Sequence, residues 1–298
     1  MEIKKKLIFK ENLIAYLFLI PAMAMFIGFI IVPVVQSFMY SLTSWDGLGP
    51  KIFIGLKNYI DIFSASNSIY QVALRNNFLW LLSSITVALS IGLFQANMLV
   101  RGRFRGSNIF QLIFFLPVIF SSIVVAIAWD WIYEPTHGVV NTVMEMIGLE
   151  KFILPWLGNR ITVMPALLVV NIWFTYGFCT VVFSAAIQTI DETLYDAAKM
   201  DGCSSWSQFW NVTFPNIRKT MTTVLLLLMI WSFQVFDLIF AMTKGGPGFA
   251  SYVISYYTYA EAFVRNHTGY GAALAITLSI IIFIFSIIFI RIRERRED

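Results

Sequence analysis

Apolar residues in this chain gather into six stretches of about 20 residues or more, the length a helix needs to cross a bilayer core. They run Leu13–Tyr40, Phe78–Val100, Ile109–Trp131, Ala166–Ile187, Met221–Met242 and Gly271–Ile290. Inside a bilayer every backbone N–H and C=O must be paired within the protein. Segments this long and apolar meet that demand as helices rather than as barrel strands. The pattern predicts an all-α integral membrane protein with six transmembrane helices over residues 13–290 and polar ends at 1–12 and 291–298. Lys4, Lys5 and Lys6 precede the first apolar run, and Ala22-Met23-Ala24 resembles a signal-peptide cleavage site. The run continues through Phe26, Ile30 and Val35, which favours an uncleaved first helix.

Composition agrees with the pattern. Of 298 residues, 58% are hydrophobic and only 13% charged, against about 25% charged in soluble domains. Basic residues collect at the ends of the apolar runs. With the N-terminus in the cytoplasm, Lys4, Lys5, Lys6, Lys10, Arg101, Arg103, Arg105, Lys199, Arg218, Lys219, Arg291, Arg293, Arg295 and Arg296 lie inside, 14 of the 21 basic residues. The other seven (Lys51, Lys57, Arg75, Lys151, Arg160, Lys244 and Arg265) fall in three outside loops, Ser41–Asn77, Tyr133–Pro165 and Thr243–Tyr270. The positive-inside rule therefore predicts a multi-pass membrane protein with both termini cytoplasmic. The basic balance reads as a topology signal and not as a nucleic-acid surface. Trp45, Trp156, Tyr256, Tyr257 and Tyr259 in the outside loops suit an interfacial aromatic belt, or a docking surface for an external partner. Cys179 and Cys203, and His137 and His267, have neither disulfide nor metal-ligand spacing, so no catalytic set or metal site is expected.

One polar island, residues 188–220, interrupts the apolar pattern on the cytoplasmic side. Thr193-x-x-Asp196 and Ser205-x-x-Gln208 both fit capping boxes. Gly202 between them suits a left-handed helix end, and Pro215 a helix stop. The island predicts a helix-turn-helix between spans four and five. Ala197 and Ala198 leave a bare surface for a partner's groove, with Asp196 and Asp201 at its edge. The alternative is an amphipathic hairpin on the membrane surface, held by Trp206, Phe209 and Trp210. The acidic residues at the exposed end weigh against attachment to an anionic leaflet.

The island "DAAKMDGCSSWSQFWNVTFP" closely resembles the EAA loop of permease subunits of bacterial ATP-binding-cassette importers. The matching residues are Asp196, Ala197, Ala198, Asp201, Gly202, Cys203, Phe209, Val212 and Pro215, with Asp196 in place of the usual Glu and Cys203 in place of the usual Ala. "FIGLKNY" at 53–59, "FLP" at 115–117, "WDW" at 129–131 and "TKGGPG" at 243–248 resemble the maltose-type subgroup, which imports sugars and related solutes.

The resemblance implies that the loop, through Tyr195, Asp196, Ala197, Ala198, Asp201, Gly202, Phe209 and Pro215, seats in a cytoplasmic ATPase. The chain contains no G-x-x-x-x-G-K-[ST] phosphate loop. ATP and Mg are therefore expected in two partner ATP-binding subunits, and no cofactor on this chain. A second permease, an extracellular solute-binding protein and surrounding lipid complete the implied partners. By the same resemblance, Asn171, Phe174, Thr175 and Phe178 of the fourth span and Trp231 and Ser232 of the fifth line the path of a sugar-like solute. Packing and interhelical hydrogen bonding are the competing roles for these residues. Asp130 and Asp237 border or enter spans, so a stand-alone, ion-driven secondary transporter is the alternative reading.

Overall fold

The structure is a computed structural model and describes residues 16–102 and 106–294. The predicted N-terminal segment 1–12 with its lysines, Arg103 and Arg105, and Arg295 and Arg296 lie outside the described residues. Five helices are long and apolar enough to cross a membrane: Tyr16–Ser41, Ser68–Arg101, Val163–Gln188, Arg218–Met242 and Thr268–Arg293. A bent pair, Ile109–Ile119 with Ser122–Ile132, makes a sixth if taken as one span.

In chain order the helices used below are α1 (Tyr16–Ser41), α2 (Ser68–Arg101), α3 (Ser107–Ile119), α4 (Ser122–Ile132), α5 (Val163–Gln188), α6 (Glu192–Met200), α7 (Ser205–Gln208), α8 (Arg218–Gln234), α9 (Asp237–Met242), α10 (Ile254–Tyr259) and α11 (Thr268–Glu294). The chain divides into two compact units, one of residues 1–64 and 258–277 and the other of residues 65–257 and 278–298.

In the first unit α1 runs unbroken across Ala22–Ala24, and its side chains are exposed from Tyr16 to Gln36. An apolar helix so free of protein contacts is suited to lipid or to another chain. A two-stranded ribbon, β1 (Thr43–Ser44) against β2 (Ile52–Phe53), follows α1. The Asn58 amide ties it down, donating to Ser41 O at 2.8 Å and Thr43 O at 3.0 Å.

The second unit is organised around α5, which packs against α2 and α3. Its apolar core joins Leu89, Leu93 and Ala96 of α2, Cys179, Phe183 and Ile187 of α5, and Met221, Val224 and Leu228 of α8. Two buried asparagines on α2 pin the segment that follows α9. Asn76 donates to Ala250 O and Tyr252 O, each at 2.8 Å, and the Asn77 Oδ1 accepts the Ile254 N–H at 2.9 Å. These bonds satisfy two backbone carbonyls and one N–H that would be costly to leave unpaired in a water-poor environment.

Two predicted spans are not continuous helices. The third, expected over Ile109–Trp131, is bent by 98° between α3 and α4. Pro117 removes one rung of the helical ladder, and Phe120 and Ser121 are both extended, with ψ 148°. Ser121 then caps α4 through the Val124 N–H. The fifth, expected over Met221–Met242, breaks at Val235 and Phe236, between α8 and α9. The expected helical starts in the polar island also move. Asp191, not Thr193, caps α6 by accepting the Thr193 N–H at 2.9 Å, and Ser204, not Ser205, caps α7. Pro215 does not stop the second helix, which continues from α7 through a π-turn to Asn216, one residue beyond it.

Candidate functional site

The break between α8 and α9 opens a cavity of about 240 Å³. Among the residues predicted to meet solute, Asn171, Phe174, Thr175, Trp231 and Ser232 line it. Phe178 does not. It stands behind Trp231, ring centroids 4.9 Å apart and edge to face, so it holds the indole rather than meeting the cavity. A broken helix is tolerated at membrane depth where freed backbone groups line a polar cavity. Here Val235 and Phe236, the two non-helical residues, form part of the wall.

The polar groups of the cavity are held in place. The Asn171 amide donates to Ser84 Oγ at 2.9 Å, and the Thr175 hydroxyl donates to Asn171 Oδ1 at 3.2 Å. Ser232 is buried and spends its proton on Leu228 O at 2.6 Å, leaving its oxygen lone pairs for a donor. Trp231 is 44% exposed, so its ring faces open space. At the rim Asp237 Oδ2 accepts from Ser122 Oγ at 2.5 Å, joining α9 to α4. Aromatic rings, two amides, hydroxyls and a carboxylate around a single space suit a polyhydroxylated solute better than an apolar one.

Sequence reasoning missed Trp80 and Ser84, which α2 contributes to the same cavity. Ser84 is one of several hydroxyls in its span, beside Ser83 and Thr86, so the sequence does not single it out. Nor does it single out Trp80, because its apolar neighbourhood is indistinguishable from core. Gln234 and Asp237 are also cavity residues.

In the polar island, α6 ends in a Schellman arrangement. The Cys203 N–H reaches Ala198 O at 2.9 Å, the Gly202 N–H reaches Lys199 O at 3.0 Å, and Gly202 has φ +79°. Asp196, Ala197, Asp201 and Gly202 are exposed, and Ala198, Phe209 and Pro215 are half-buried. Asp196, Ala197, Ala198, Asp201 and Gly202 form the C-terminal end of α6, whereas Phe209 and Pro215 lie in the helix that follows. Tyr195 differs. It is buried under the Arg101 guanidinium, 3.4 Å from the ring centroid, and its hydroxyl shares a hydrogen bond with Thr213 Oγ1 at 2.9 Å. It braces the loop from inside. Trp206 is exposed and meets Phe209 and Trp210, the aromatic cluster that the membrane-surface alternative requires. Cys203 is a free thiol, half-buried, and Cys179 is free and fully buried.

Hydrogen bonding from the Thr193 backbone holds the Asp191 carboxyl below the usual carboxylate range. Because the folded-state pKa is lowered, the stabilisation is present above the ordinary Asp pKa and is lost as pH falls through the folded value. Asp191→Ala is accordingly expected to lower the thermal midpoint at neutral pH, as loss of a cap does. The gap from the unsubstituted protein should close at acid pH, and thermal scans across pH check this.

A cavity at a broken transmembrane helix, together with a capped polar turn at the end of the same unit, defines a membrane transport component. Comparison with known proteins says which. The family described as "Binding-protein-dependent transport system inner membrane component" matches residues 84–297. The chain is 35% identical to a probable ABC transporter permease protein, YurN, of Bacillus subtilis (strain 168), over 91% of this chain and 93% of that one. It is 31% identical to the diacetylchitobiose uptake system permease protein NgcF of Streptomyces coelicolor (95% and 83% covered). Identity to the trehalose/maltose transport system permease protein MalF of Thermococcus litoralis is 29% (98% of each). A crystal structure of a bacterial ABC transporter involved in import of the acidic polysaccharide alginate shares the fold, with TM-score 0.84, 23% identity and 96% of each chain covered. The chain belongs to the family of inner-membrane permease components of binding-protein-dependent ABC transport systems.

Proposed function

We propose that this chain is one of two permease subunits of an ATP-driven importer of a sugar or oligosaccharide. In this reading the solute passes by Asn171, Phe174, Thr175, Trp231 and Ser232, with Phe178 supporting the indole. The observation that carries it is the convergence of these side chains from two helices on one cavity at a helix break. The printed substrates of the relatives, diacetylchitobiose and trehalose/maltose, support the sugar class. At about 240 Å³ the cavity is smaller than the roughly 300–1,000 Å³ of ligand pockets, which fits a path completed by a second permease.

The exposed turn of α6, Asp196 to Gly202, docks on a cytoplasmic ATPase. Two ATP-binding subunits hold ATP and Mg, and their closure moves the docked turn and switches the cavity from inward to outward access. A solute-binding protein delivers sugar from the outside, and both termini face the cytoplasm. A related structure was solved in complex with an alginate pentasaccharide-bound periplasmic protein. An ion-driven stand-alone transporter would use Asp237 as a proton carrier. Its Ser122 bond and its place in the cavity rim suit solute hydrogen bonding equally.

Two measurements test the proposal. In proteoliposomes holding the full transporter, Trp231→Ala should raise the apparent KM for uptake about tenfold, since losing one aromatic contact costs roughly 1–1.5 kcal/mol. ATP hydrolysis in the absence of solute should be unchanged. Gradient-driven uptake by the isolated chain, with neither ATP nor ATPase, would overturn the importer reading.

A further inference from the structure

Arg101, the last residue of α2, makes two contacts with the polar island. Its Nη1 lies 2.9 Å from Glu192 Oε2, and its guanidinium stacks 3.4 Å over the ring of Tyr195. Both partners are in the first turns of α6. Only residues 189–191 join α6 to α5, and Asp191 there is extended. The Tyr195 hydroxyl bond to Thr213 ties α6 to the helix that follows it, and the Arg101 contacts tie it in addition to α2, which restricts pivoting about the short link to α5.

The other ends of the same helices form the cavity. α2 carries Trp80 and Ser84, and α5 carries Asn171 and Phe174. Between cavity and island these two helices are locked along their length. Asn171 bonds to Ser84 and Thr180 bonds to Gln95, each at 2.9 Å. A Cβ placed on Gly92 would lie 2.4 Å from the Cβ of Cys179, so the backbones are as close as glycine allows.

We propose that Arg101 is the positioning residue that clamps α6 to α2, so that displacement of the exposed turn moves the α2 and α5 walls of the cavity as one body. The proposal rests on the reading of that turn as the ATPase contact, and adds to it the route inside this chain. An interaction that couples two sites does so by differing between two global states, and a rigid lever converts docking displacement into cavity displacement. Arginine suits the position because its planar fork pairs with a carboxylate and stacks on an aromatic ring together. Lysine does only the first well.

The test uses the complete transporter (permease pair, ATPase subunits and solute-binding protein) in proteoliposomes. Arg101→Gln is expected to keep the ATPase subunits at the unsubstituted ratio while solute moved per ATP hydrolysed falls by about 5- to 150-fold, the range of a coupling free energy. Arg101→Lys should fall less. Exchanging the charges, Arg101→Glu with Glu192→Arg, should restore part of the loss that Arg101→Glu alone causes. Unchanged transport per ATP in Arg101→Gln overturns the clamp. So does loss of the ATPase subunits from that variant, which would make Arg101 a docking residue. If the unsubstituted chain captures no ATPase at all, it is the coupling reading itself that fails.

Discussion

Gly202→Pro is expected to strip the ATPase subunits from the detergent-purified complex and to abolish uptake. Gly202 closes α6 at φ +79°, whereas proline is held near −65°. The substitution also removes the N–H that bonds to Lys199 O at 3.0 Å. Strain and the lost bond together cost about 3 kcal/mol or more, enough to unwind the last turn of a nine-residue helix. No atom outside the immediate chain lies within 4 Å of a Cβ at Gly202, so the damage stays in the turn. Ala198→Trp is the companion variant. It leaves the Schellman bonds in place and adds bulk to the surface proposed to seat in the partner. Co-purification of the ATPase with each variant, alongside a monodisperse elution profile for the permease, gives the answer. Both variants retaining stoichiometric ATPase would remove the turn from the docking surface.

Gly177→Ala is the second large effect, and it acts on the fold. A Cβ at Gly177 would lie 2.1 Å from the carbonyl oxygen of Phe114 and 3.1 Å from its carbon. The obstacle is backbone, so no side-chain rotation can relieve it, and α5 must move away from α3. Overpacking of this kind costs about 1–3 kcal/mol and sometimes more. The thermal midpoint of the purified protein should therefore fall. Uptake should fall with it, because Phe174 and Thr175 lie within one turn of Gly177 on the cavity wall. Gly28→Ala is the control. Nothing lies within 4 Å of its added methyl, and its midpoint should not drop. A Gly177→Ala protein as stable as the original would mean that α3 and α5 do not approach as closely as described.

The membrane class was legible because bilayer thickness imposes a length on apolar runs, and no other environment favours several of them in one chain. The polar island was legible for the opposite reason. Several acids and bases within one short stretch are too costly for a bilayer core, so they mark a loop between spans. The cavity was legible in part: Asn171 and Trp231 stand out as polar or amphipathic residues within apolar helices, while Trp80 looks like any core aromatic. Phe178 looked like a cavity residue because it shares a helix face with Asn171, Phe174 and Thr175, but it lies one turn further along α5 and packs behind Trp231.

By itself the sequence determined composition, span number to within the bent pair, and the identity of the loop whose glycine must take a left-handed backbone. These follow from local rules: apolar length, charge placement and the conformational reach of single residues. Tertiary structure alone decided the break at Val235 and Phe236, where no proline or glycine announces a gap, whereas Pro117 and Ser121 mark the 98° bend between α3 and α4 in the sequence. It also chose Asp191 and Ser204 over Thr193 and Ser205 as caps. Several neighbouring side chains can serve a helix start, and only the packing of the loop under Arg101 fixes which backbone is extended.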